Sequence, residues 1–169
     1  RKAVLQTIVD DINKRDGHLN TGIIGTKHLW TVLGNSGHAD LAYSIATQTT
    51  YPSYGFWLEK GATTLWEKWS GQASHNHQMF GSVDEFFYKF LAGLRAPTDQ
   101  GTSRGYKHIC IKPFIPDDLS SVEASLETVN GKVSSGWENQ DESLSLQVSI
   151  PANTTAKICV PLLNNQKDI

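Results

Sequence analysis

The sequence predicts an α+β chain, with helix pairs in its first half and an antiparallel β-sandwich in its second. Three observations carry that prediction. Apolar residues recur at helical spacing as far as Leu91 and at every second position from Tyr106 onward. Between the two regimes lies GLRAPTDQGTSRGY, residues 93–106, a stretch of turn formers that reads as a boundary or long loop. The expected domains are therefore a helical one over 1–95 and a β one over 96–169.

The helical half is read from its stripes and stops. In RKAVLQTIVDDINKR, Val4, Ile8 and Ile12 fall four apart on one stripe, and the pattern runs to residue 1 without a capping residue. That abrupt start is expected of a piece of a longer protein. Asp10 and Asp11 are expected on the solvated face. After the loop RDGHLNTG, the segment IIGTKHLWTVLG sets Leu29, Trp30 and Leu33 at helical spacing and is expected to stop at Gly34. NSGH then leads into ADLAYSIATQ, closed by TTYP. Near residue 82, Ser82 and Glu85 have the spacing of a capping box, followed by Val83, Phe86, Phe87, Phe90 and Leu91 on one face up to Gly93.

Strand signals follow. YKHICIKPF is β-like and VEASLETV alternates. Asn130-Gly131 marks a hairpin in which both central residues are expected at positive φ. SLSLQVSI alternates through Leu144, Leu146, Val148 and Ile150, and AKICVPL through Ala156, Ile158 and Val160. A sheet with one apolar face needs a second layer, which makes a sandwich the economical arrangement.

Composition narrows the function classes. A net charge of −2 and a pI near 6.3 offer no electrostatic footprint for nucleic acid or an anionic membrane. No apolar run approaches the roughly 18 residues of a membrane span, so neither nucleic acid nor membrane is an expected partner. Cys110 and Cys159 are too few for a disulfide framework and lack zinc-site spacing; buried free thiols are expected, a single bridge being the alternative. No nucleophile elbow, Walker loop or dinucleotide fingerprint occurs, and no cofactor is expected.

What stands out is the distribution of rings. Of six Phe, five Trp and five Tyr, eleven lie between Tyr51 and Phe90, among glycines, Pro52 and the polar string SHNH at 74–77. Tyr51, Tyr54, Trp66 and Trp69 lie in or beside turn-rich segments. Rings there suit sugars, whose C–H faces an aromatic covers while His, Asn or a carboxylate meets the hydroxyls.

One carboxylate, Glu67, sits among these rings, and it has two readings. Thr64 stands three residues before it, so TTLWE fits a capping box in which Glu67 reaches back to the Thr64 amide. Alternatively, Trp66 and Trp69 wall it from water, and desolvation makes it a proton acceptor. His75 and His77 are two apart, but H-x-H without further ligands is a weak metal signal, and none is expected. His77, beside Asn76, fits a sugar hydroxyl as well as it fits loop backbone. His18, in the loop RDGHLNTG, has two readings, a group facing the same cavity or, more usual for a loop histidine, a solvent-exposed side chain. Trp137 in the β half is read as a core residue, with an exposed binding ring as the alternative.

The ordered set HLNTGIIGT, DLAY, TYPSYGFWLEKGATTLWEKW and NHQMFGSVDEFFYKFLAGL resembles the C-terminal part of bacterial α-L-rhamnosidases of glycoside hydrolase family 78, closely over residues 17–95. The resemblance implies the last helices of an (α/α)6 barrel followed by that family's C-terminal β-sandwich. It implies Glu67 as general base, deprotonating water for inversion at the anomeric carbon. Asn76 and His77 match its NH motif at the rhamnose pocket, and Tyr54, Trp57 and Trp66 match aromatic positions. EKWSGQASHNH, the connection from Glu67 to His77, is shorter than the family's usual loop. The implied ligands are rhamnose-containing glycosides or polysaccharides, and the implied partner is the missing N-terminal part of the same chain. In that family the general acid lies upstream, so this chain alone is expected not to hydrolyse glycosides. A non-catalytic carbohydrate-binding module and another (α/α)6 glycosidase are the alternatives.

Overall fold

A computed structural model describes residues 2–96, 104–140 and 143–161; the middle of the turn-rich stretch, 97–103, lies outside the described residues. The chain divides into two compact units, Arg1–Asp84 and Glu85–Ile169.

The first unit is built from four helices: α1 (Lys2–Lys14), α2 (Ile23–Asn35), α3 (Ala39–Ala46) and α4 (Tyr54–Glu59). On α1 the inward stripe is Ile8, Val9 and Ile12, while Val4 is 66% exposed, which corrects the expected stripe. Three residues spaced strictly by four drift around a 3.6-residue helix, and the buried face follows the true period. Asp10 and Asp11 are solvated as expected, Asp11 pairing with Arg15 at 3.0 Å. In α2, Leu29, Trp30 and Leu33 are buried together with Thr26. That helix runs past Gly34 to Asn35. Its stop is Gly37, whose φ of +82° lets the His38 amide turn back to the Leu33 carbonyl at 3.0 Å. The α4 helix starts at Ser53, whose hydroxyl accepts from the Phe56 amide at 3.0 Å.

No helix forms between Lys60 and His77. Thr64 donates its hydroxyl to the His75 carbonyl, the His77 amide donates to the Leu65 carbonyl at 2.8 Å, and the Glu67 amide donates to the Ser74 carbonyl at 2.8 Å. Segment 64–67 is thus laced to segment 74–77, and the capping-box reading of TTLWE falls because its hydroxyl and amide are committed elsewhere.

The capping box at Ser82 also fails. A 3₁₀ turn over Gln78–Ser82 runs into the short helix α5 (Val83–Phe86), then a π turn over Phe87–Leu91. The Ser82 hydroxyl is buried with no hydrogen-bond partner among the described residues, and Glu85 pairs instead with Lys89. The expected core face survives in part. Phe86, Phe90 and Leu91 are buried, whereas Phe87 is 40% exposed.

In the second unit, β1 (Leu94–Arg95), β2 (His108–Ile111) and β6 (Thr155–Ile158) form one three-stranded sheet. The other consists of β3 (Ser121–Thr128), β4 (Gly131–Gln140) and β5 (Ser143–Ser149), all antiparallel. Leu94, Ile109, Ile111 and Val133 meet between the sheets, with Val122, Leu126, Val148 and Ala156 packed against them, as a sandwich requires. One pairing departs from the antiparallel expectation: β2 and β6 run parallel, because the chain changes sheets between β5 and β6. The hairpin frame also shifts. Thr128 pairs with Gly131, so Val129 and Asn130 form the turn, and only Gly131 has positive φ, +118°. Its Thr128 hydroxyl accepts from the Asn130 amide at 3.1 Å and donates to the Gly131 carbonyl at 2.8 Å, an arrangement that does not need a mirror-image turn.

Trp137 is a core residue. Along the inner face of β4 stand Val133, Ser135 and Trp137, the last only 2% exposed. Ser135 Oγ donates to the Ala92 carbonyl and Trp137 Nε1 to the Leu91 carbonyl, both at 2.7 Å. Those are carbonyls a helix end leaves unpaired. Cys110 and Cys159 are free and half-buried. Cys110 faces Lys157 in the register, and Cys159 follows two residues later, just past the end of β6.

Candidate active site

The first unit holds a cavity of about 730 Å³. Its walls come from the loop after α1, from Tyr51 and Pro52, and from the segment that begins at Glu67. Each wall is set by a local device. At the end of α1, Asp16 and Gly17 both take positive φ, +53° and +75°, and the Gly17 amide returns to the Ile12 carbonyl at 3.0 Å. Gln48 Nε2 donates to the Asp16 carbonyl at 3.0 Å, fastening that turn to the segment before Tyr51.

Glu67 lines this cavity. Its carboxylate Oε2 accepts from the Ser74 amide at 3.4 Å, while its own amide donates to the Ser74 carbonyl. Behind it stands a packed aromatic layer. Trp69 stacks on Trp57 with ring centroids 4.5 Å apart, Trp57 Nε1 donates to the Trp69 carbonyl at 2.9 Å, and Trp69 Nε1 donates to the Thr21 carbonyl at 3.0 Å. Tyr54 meets Trp57 and Trp69 edge-on and donates its hydroxyl to the Phe80 carbonyl at 2.7 Å. Burial, reinforced by the negative charge of Asp84, pushes the Tyr54 phenol well above the usual tyrosine range. It therefore serves as a neutral hydrogen-bond donor.

Of the predicted site residues, Glu67 lines the cavity, whereas Tyr54, Trp57, Trp66, Asn76 and His77 are not among its lining residues. Tyr54 and Trp57 form the layer behind the Trp69 wall. Trp66 is buried and stacks on His75, centroids 4.4 Å apart, while His75 Nε2 donates to the Gly71 carbonyl at 2.8 Å. Asn76 is exposed, and its amide donates to Ser74 Oγ at 3.2 Å. His77 is held through its backbone to Leu65.

His18 does face the cavity. Its Nδ1 lies 2.8 Å from the Arg15 carbonyl, which can only accept, so that nitrogen carries the proton and Nε2, 2.7 Å from Thr50 Oγ1, accepts from the hydroxyl when the ring is neutral. Tyr51, one of the rings expected to suit a sugar, also lines the cavity, and the lining residues that sequence reasoning missed include Asp16, Asn20 and Lys68. Asp16 and Asn20 flank His18 in RDGHLNTG, and that adjacency was the available signal. Among the described residues, no group of three or more His, Cys, Asp or Glu is placed to hold a metal. The arrangement offers a clamped carboxylate, an aromatic wall and a rim of hydroxyl-complementary groups.

Comparison with known proteins places both halves. Residues 1–91 match the bacterial alpha-L-rhamnosidase 6 hairpin glycosidase domain, and residues 93–168 match the bacterial alpha-L-rhamnosidase C-terminal domain. The chain is 36% identical to an alpha-L-rhamnosidase of Streptomyces avermitilis over 95% of its own length and 16% of that protein's. It is 37% identical to one of Formosa agariphila, over 95% and 18% respectively. Among solved structures it superposes on the alpha-L-rhamnosidase from Dictyoglumus thermophilum with a TM-score of 0.88 and 40% identity, covering 96% of this chain and 18% of that one. The Streptomyces avermitilis enzyme complexed with L-rhamnose gives 0.87 and 35%, covering 95% and 16%. The chain thus spans about a sixth of the length of these relatives.

Proposed function

The chain belongs to the bacterial α-L-rhamnosidase family, and from that premise we propose that it supplies the general base of an inverting glycoside hydrolase that releases terminal α-L-rhamnose. Glu67 is that base. Glu67 lines the cavity, its carboxylate accepts from the Ser74 amide, and in this reading it takes a proton from the water that attacks the anomeric carbon. Inversion needs a protonated acid about 6.5–9.5 Å away across the sugar, and that acid comes from the upstream part of the protein. Asp16 is the second carboxylate at the cavity wall, but it belongs to the turn that fastens α1 to the rest of the unit.

His18, Asn20 and Trp69 meet the sugar within the cavity, the ring of Trp69 covering an apolar face. The sugar contact that family likeness implies for Asn76 and His77 is made outside the cavity lining, of which neither residue is part. Two experiments test the reading. In the intact protein, Glu67→Gln lowers turnover of an aryl α-L-rhamnoside by about 10²–10⁴-fold, the usual contribution of a positioned acid or base, with folding unchanged. The 169-residue chain alone is expected to show no turnover. Unchanged turnover in the variant, or turnover by the isolated chain that depends on Glu67, overturns the corresponding half of the proposal.

A further inference from the structure

The solvent face of the β3-β4-β5 sheet carries a trough of about 360 Å³. At its centre is Gly136, on the middle strand, paired with Glu123 of β3 on one side and Gln147 of β5 on the other. The next row on the same face is Ser121, Glu138 and Ser145.

Among the described residues nothing requires glycine at 136. Its φ lies outside the left-handed region, and a Cβ added there would meet the Val122 carbonyl oxygen at 3.4 Å and Glu123 Cγ at 3.5 Å, ordinary contacts. The register runs unbroken through it on both sides, so it marks no bulge. Glycine inside a strand costs backbone entropy, and where neither a bulge nor a bend accounts for it, the remaining reason is the close approach of another group to the backbone. Gly93, by contrast, is explained sterically: a Cβ there would lie 2.3 Å from the Pro113 nitrogen.

The groups around the bare peptide are mixed donors and acceptors. The hydroxyls of Ser121 and Ser145, the Glu123 carboxylate and the Gln147 amide make no side-chain hydrogen bond with any described residue. We propose that this trough binds a carbohydrate, one sugar ring lying flat on the Gly136 peptide. Its hydroxyls would donate to Glu123 and Glu138, and Gln147 and the serines would supply donors in return. A metal ion is the poorer occupant, since no group of three or more His, Cys, Asp or Glu is placed to hold one among the described residues. The inference does not depend on Glu67 being the base.

The test is affinity electrophoresis of the intact protein carrying Glu67→Gln, to prevent digestion, through gels containing rhamnogalacturonan I, arabinogalactan or xylan. Retardation by at least one polysaccharide is expected, weakened at least tenfold by Gly136→Val, which fills the trough, and by Gln147→Ala, which removes a donor. In the Glu67 background both variants keep hydrolysis of p-nitrophenyl α-L-rhamnoside within twofold of the parent. Failure of all three polysaccharides to retard the protein overturns the proposal, as does retardation equal to the parent's in Gln147→Ala. If Gly136→Val fails to fold, Gln147→Ala and Glu123→Gln decide it alone.

Discussion

Glu67 and Ser74 grip each other twice: the Glu67 amide donates to the Ser74 carbonyl at 2.8 Å, and the Ser74 amide returns to the Glu67 carboxylate at 3.4 Å. The carboxylate is oriented by backbone seven residues away. Shortening that side chain should therefore matter even with its charge kept. Glu67→Asp draws the carboxylate back from both the Ser74 amide and the cavity, and turnover in the intact protein is expected to fall about 100-fold, with a pH profile still governed by a carboxylate. Turnover within a few-fold of the parent would show that the clamp is irrelevant.

Two glycines with the same backbone sign should respond differently to alanine. Gly37 and Gly93 sit at φ +82° and +75°, but a Cβ on Gly37 meets nothing within 4 Å, whereas one on Gly93 collides with Lys112 and Pro113 backbone. Gly37→Ala should cost about 1–2 kcal/mol, the left-handed penalty alone. Gly93→Ala should cost more, because the crossing in which the Lys112 amide bonds the Gly93 carbonyl at 3.0 Å must open. Denaturant unfolding checks the order, and equal losses would refute the steric account.

Trp137→Phe keeps most of the ring and deletes the Nε1 donor. It orphans the buried Leu91 carbonyl, at an expected cost of about 1–3 kcal/mol. The cost should appear in the unfolding of the β unit. A change below about half a kcal/mol would indicate that the bond adds little to stability.

Burial, with Cys159 adding to it, pushes the Cys110 thiol above its ordinary value, although Arg95 and two lysines pull the other way. The reactive form is the thiolate, so Cys110 should react with iodoacetamide more slowly than a free thiol at neutral pH, and its rate should rise only at higher pH. For stability the sign follows from the neutral form being favoured in the fold. The contribution is complete below the unfolded thiol's pKa and is lost as pH rises through the folded value. A reaction rate matching that of the unfolded chain at pH 7 would contradict this.

Much of the fold was legible from the residues themselves. The switch from helical to alternating spacing, the buried set Leu29, Trp30 and Leu33 and the core position of Trp137 follow from local periodicity, which one stretch of chain carries alone. The tertiary structure decided what depends on distant partners. TTLWE has the signature of a helix start, but its hydroxyl and amide found carbonyls in 74–77, and that pairing turned Glu67 to the cavity wall. Ser82 kept the spacing of a cap without a bond to make. Gly37 displaced Gly34 as the stop of α2, Asn130 stayed at negative φ because the Thr128 hydroxyl organised the turn, and β6 lay parallel to β2 because the chain changed sheets. For TTLWE and the Thr128 turn, short-range pattern proposed one partner for a polar group and packing supplied another, because a buried polar group takes whichever partner the tertiary structure brings to it.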